Sequence, residues 1–225
     1  MIRKCLAALA FAVAGACTYG SAVDLAPLSE RISKQAVSTG DFCGVNGDTP
    51  PFTVVSSSDC VPVTWDQSTR TYTVVLDPDD PDDILQVSPV SLGGGLYLAQ
   101  SVVDPGEPEA PDHFQLFLVI SHGDAFALLP VLEGQDLADL AGGHAAITFA
   151  EDRAGRLFVA AGDRPDIRAF LREAAVRSLR LMTEKGDALS IGVRDTAGSS
   201  DHPASDMQTR DIDAVQKIAR DLAPA

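Results

Sequence analysis

Asparagine occurs once in this chain of 225 residues, at Asn46, and Gly47 and Asp48 follow it, so no N-glycosylation acceptor is present. Basic residues are scarce, 17 against 32 acidic, which leaves a net charge of −15. A surface this acidic is repelled by nucleic acid and by anionic lipid headgroups, and its plain consequence is solubility. No apolar run approaches the about 20 residues that a membrane-spanning helix needs. There is no Gly-x-Ser-x-Gly elbow, no Gly-Lys-Ser/Thr after the glycine run Gly93-Gly94-Gly95, and no EF-hand loop. His113, His122, His144 and His202 lack the i, i+4 spacing of a helical zinc pair. No repeat of fixed period occurs. These absences leave no catalytic residue and no cofactor to assign.

What is present begins with an export signal. Arg3 and Lys4 precede an unbroken run of Leu, Ala, Phe and Val from Leu6 to Val13, and the small residues Ala14, Gly15 and Ala16 follow. A charged start, a short apolar middle and a small-residue end make a secretory leader. Ala14-Gly15-Ala16-Cys17 resembles the lipobox of bacterial lipoprotein precursors, in which the cysteine is acylated and becomes the new N-terminus. The resemblance is confined to those four residues. It implies a leader of residues 1–16, acylation of Cys17, and a place on the periplasmic face of a bacterial membrane. Cleavage after Ala16 without a lipid, or after Ala22, gives a soluble periplasmic or secreted protein instead. Cys5 leaves with the leader, and if Cys17 carries the lipid, Cys43 and Cys60 remain as an even pair suited to an oxidising compartment. A bond between them is expected.

Residues 17–40 are small and polar with scattered aliphatics and read as a tether that clears the headgroups. Residues 41–194 read as a β-rich domain. Tyr72, Val74 and Leu76 alternate with Thr71 and Thr73, the period of a half-buried strand. In His113 to Ser121, Phe114, Leu116, Leu118 and Ile120 form one face while Phe117 and Val119 occupy the other, so this strand is expected to be covered on both sides. About nine such strands joined by short turns predict an α+β fold built on an antiparallel meander, as a curved sheet or a partly closed barrel. At Gly162 the period changes to that of a helix over about 164–183, with Pro165 in its first turn and a stripe of Ile167, Phe170, Leu171, Ala174, Leu181 and Met182 that Ser178 interrupts. A return strand over Leu189 to Val193 follows. Residues 195–225 read as a linker and a last amphipathic helix, Asp206 to Leu222, started by a Ser205/Gln208 capping box.

Two clusters invite chemistry. Ser121-His122-Gly123-Asp124 holds the residue types of a hydrolase, but triads assemble from residues distant in sequence, and a hairpin turn explains all four. Asp77, Asp79, Asp80, Asp82 and Asp83 could attract a hard cation, although Pro78 and Pro81 restrict wrapping and a solvated hairpin loop accounts for them. Three functions survive. The first is a non-enzymatic, lipid-anchored envelope protein that binds a protein or envelope component. The second is a small-ligand binder with a pocket of Phe and Leu carrying one or two polar groups, and the third a hydrolase whose site is invisible in one sequence.

Overall fold

The computed structural model describes residues 19–47, 49–55, 60–77, 80–101, 114–151, 156–198 and 200–224. Among them run the strands β1 (Tyr19–Ser21), β2 (Gly40–Asn46), β3 (Thr53–Val55), β4 (Val61–Asp66), β5 (Thr71–Asp77), β6 (Asp80–Gly93), β7 (Leu96–Ser101), β8 (Phe114–His122) and β9 (Ala125–Leu128). Helix α1 (Gly134–Gly142) leads to β10 (Thr148–Glu151) and β11 (Leu157–Ala161). Helix α2 (Arg164–Lys185), β12 (Ile191–Arg194), β13 (His202–Pro203) and helix α3 (Asp206–Leu222) complete the order.

The sheet closes on itself. Antiparallel pairing runs from β8 through β7, β6, β5, β4, β2, β12 and β9, and β9 pairs back onto β8. The second half of β8, from Val119 to His122, holds β9, whereas its first half, Phe114 to Leu116, holds β1. From β1 the sheet continues outward through the parallel neighbour β11 to β10. The result is a mostly antiparallel, barrel-like sheet with a short flap leaving it at β8.

Strand alternation sorts side chains into two cores. The outer face presents Leu96, Leu98, Leu116, Leu118, Ile120, Ala127 and Val193 to α2, α3 and the flap. The inner face presents Phe42, Val61, Val63, Tyr72, Val87, Ala99 and Phe117 to the lumen. Strand β8 belongs to both cores, as its two apolar faces require.

Helix α2 buries Ile167, Phe170, Leu171, Ala174, Ala175, Ser178 and Leu179. The stripe therefore runs through Ser178 instead of being interrupted there, because its hydroxyl donates to Pro130 O at 2.6 Å and so enters the core satisfied. Leu181 and Met182, expected on that stripe, are only half-buried. Helix α3 starts with both halves of its capping box made: Gln208 N donates to Ser205 Oγ, and Ser205 N to Gln208 Oε1. It buries Gln208, Ile212 and Val215 against the barrel.

Two spans read from composition as loose are not. Residues 19–40, the described part of the expected tether, begin with strand β1, and Leu25 and Ala26 are fully buried. The Leu25 amide donates to Gln100 Oε1 at 2.7 Å. Residues 195–205, read as a linker, include β13, which pairs with β3, and Ala204 N donates to Phe52 O at 3.0 Å. In both spans tertiary hydrogen bonds supply what local pattern does not. Cys43 and Cys60 are joined by a disulfide that ties β2 to the start of β4. No helix among the described residues is long and apolar enough to cross a membrane.

Candidate functional site: the lumen of the barrel

Every second residue of the ring strands points inward, and those positions are almost wholly apolar. Val61 and Val63 come from β4, Tyr72, Val74 and Leu76 from β5, Leu85, Val87 and Pro89 from β6. Tyr97 and Ala99 of β7, Phe117, Val119 and Ser121 of β8, and Phe126 and Leu128 of β9 complete the wall. They enclose a cavity of about 120 Å³. Its polar side chains among the described residues are Tyr72, Tyr97 and Ser121, and none of the described residues lining it is charged. Val74, Leu76, Leu85 and Leu128 are only half-buried, so the cavity meets solvent on their side.

A strap from the N-terminal segment bounds the cavity elsewhere. Ala36 and Val37 lie on the lumen and are tied to two strands that stand three apart in the ring. The Tyr72 hydroxyl on β5 donates to Val37 O at 2.9 Å and accepts from the amides of Ala36 and Val37 at 2.7 and 3.0 Å. Ser121 Oγ on β8 donates to Ala36 O at 3.2 Å. Further along, Gln67 Nε2 donates to Ser33 O, Arg31 Nη1 to Thr69 O, and Ile32 N to Pro89 O. Burial pushes the Tyr72 phenol above its ordinary range, against the lowering effect of its bonds to Val37 and Ala36. It stays a neutral donor and acceptor.

Beside the strap sits an ion pair with a buried carboxylate. Arg194 Nη2 meets Asp124 Oδ2 at 2.6 Å, with the Asp124 side chain 7% exposed and that of Arg194 36%. Burial alone would raise the Asp124 pKa, but hydrogen bonds from Arg194 and Ser38, with the Arg194 charge, outweigh it and hold the carboxyl below its ordinary value. The pair also anchors α3, since Asp124 N donates to Asp211 Oδ2 and Gln208 Nε2 to Arg194 O.

The residues singled out in the sequence fall elsewhere or apart. Ser121 faces the lumen and His122 the solvent, where its Nε2 stands 4.0 Å from Asp211 Oδ1, while Asp124 is engaged by Arg194. The three therefore do not form a triad. Asp77 ends β5 and Asp80, Asp82 and Asp83 open β6, all exposed; Asp79 lies outside the described residues. Among the described residues no three His, Cys, Asp or Glu side chains gather to hold a metal ion. His144 packs edge-on to Phe170 and contacts Glu173, and His202 bonds Asp195; His113, like Cys5 and Cys17, lies outside the described residues.

A larger hollow of about 470 Å³ lies at the start of α2, lined by Glu30, Arg164 and Arg168 among others. Its two arginines already pair with Glu30, Arg168 at 2.6 Å and Arg164 at 3.5 Å. The lumen is different in kind, an apolar wall with few polar groups. Comparison with protein-family models, curated proteins and solved structures finds no match.

Proposed function

We propose that this protein binds an uncharged, largely apolar small molecule inside its barrel, without catalysing a reaction on it. The observation that carries the reading is the apolar cavity of about 120 Å³ within a barrel-like sheet. Natural interiors are packed to crystal density, so a void of this size inside a well-formed sheet asks for an occupant. It is close to the about 150 Å³ apolar cavity that stays dry and takes up benzene. A ring or a short alkyl segment fits that space, and the remainder of a larger apolar ligand extends through its open side. An ionised group does not fit, because the lining offers nothing to pair it with. This favours a small ligand over the protein partner as the binding target.

The test is a titration with the neutral fluorophore N-phenyl-1-naphthylamine. The wild type is expected to give saturable one-to-one enhancement. Ala99→Phe, which puts a ring into the lumen, is expected to lose it at least tenfold with an unchanged far-ultraviolet spectrum. Equal enhancement by both proteins would overturn the assignment to the barrel.

We further propose that the domain works in the cell envelope on a lipid carried by Cys17, a reading supported by the leader-like pattern of residues 1–16. Labelled palmitate is expected in the wild type and absent from Cys17→Ser. Label in both, or in neither, contradicts the anchor and leaves a soluble exported protein.

A further inference from the structure

We infer that Phe126 sets the girth of the cavity and so decides which apolar ligands the barrel accepts; this rests on the ligand-binding reading above. On the wall formed by β2 and β12 the inward positions Gly44 and Gly192 are paired directly with each other. Neither contributes a side chain. From β9, Phe126 stands opposite Gly192 in register, an aromatic residue covering a glycine across the strands. A Cβ added to Gly192 would fall 3.0 Å from Phe126 Cε1 and 3.1 Å from Cζ, so the ring occupies the space the glycine leaves. Phe42, fully buried beside Gly44 on β2, backs the ring at a centroid distance of 5.3 Å and a tilt of 57°. Phe126 itself is half-buried and lines the cavity.

Two opposite changes follow from this arrangement. Removing the ring joins the glycine-walled recess to the cavity and widens it. Adding a methyl group at Gly192 pushes the ring toward the lumen and narrows it. A slender and a bulky neutral alcohol, 1-octanol and 1-adamantanol, distinguish the two. Calorimetric titration of the full exported domain is expected to show that Phe126→Ala raises the adamantanol-to-octanol affinity ratio at least tenfold over the wild type. Gly192→Ala is expected to lower it. Phe126→Leu, a milder truncation, is expected to shift the ratio the same way as Phe126→Ala and serves if the larger one unfolds. A ratio within twofold of the wild type in a folded Phe126 variant that still binds octanol overturns the role of Phe126 alone. A wild type that takes up neither alcohol overturns the ligand-binding reading on which it rests.

Discussion

The Tyr72 hydroxyl makes three hydrogen bonds to two consecutive residues of the strap. Removing it leaves the amides of Ala36 and Val37 and the carbonyl of Val37 to find water, at a cost of about 1–3 kcal/mol for each group that stays buried and unmade. Tyr72→Phe is therefore expected to lower the melting temperature and to speed hydrogen exchange at the Ala36 and Val37 amides more than at Val63 or Leu118. Uniform acceleration across all four would mean that the strap is not a locally held unit. The strand face that carries Tyr72, Val74 and Leu76 was readable from alternation alone. The partners of the hydroxyl were not, because they lie 35 and 36 residues away in a segment without a pattern of its own. Ser178 teaches the same lesson in reverse. A serine on an apolar stripe reads as an interruption until the Pro130 carbonyl that satisfies it comes into view.

Among the elements, α3 has its boundaries and start signal written locally. Ser205 and Gln208 form the capping box, and Ile212, Val215, Ile218 and Leu222 recur at helical spacing. What the spacing left open was whether that stripe docks on its own domain. Ile212 and Val215 are fully buried on the outer core, and Ile218 and Leu222 pack at its margin. The close approach has a mark in the backbone: Gly95, at a φ of +81°, would bring an added Cβ to 2.7 Å from Ile218 Cδ1. Burying two such aliphatic side chains is worth about 1.5–3 kcal/mol each before ordering costs. Deleting residues 203–225 is accordingly expected to lower the melting temperature and expose apolar surface to a dye. An unchanged melting temperature would contradict docking on the parent domain. The small polar composition of the N-terminal segment describes a chain with little core of its own, not one with nowhere to go. Leu25 and the strap are held by hydrogen bonds to distant strands, and nothing local encodes those.

At the scale of the whole molecule, apolar residues on both faces of β8 announced a strand covered twice. The second cover is not a further layer of protein but the lumen of a closed sheet, and closure depends on β9 returning to β8 while β12 bridges β9 and β2. The Gly123-Asp124 hairpin brings β9 back to β8, but the pairings of β12 with β9 and β2 join strands far apart in the chain, beyond the reach of turn chemistry. The cavity is thus a property of topology, and the lining residues become a site only once the ring is formed. The polar clusters that stood out in the sequence play structural parts instead, Ser121 and Asp124 in holding the strap and α3, and Asp80, Asp82 and Asp83 on an exposed strand. The central claim is that a neutral apolar ligand sits inside the barrel, and methyl-labelled nuclear magnetic resonance with bound N-phenyl-1-naphthylamine tests it most directly. The account predicts Overhauser contacts from the probe to the methyl groups of Val63, Val87 and Val119 and none to Leu98, Leu118 or Ile120 on the outer face. Contacts confined to the outer set would contradict it.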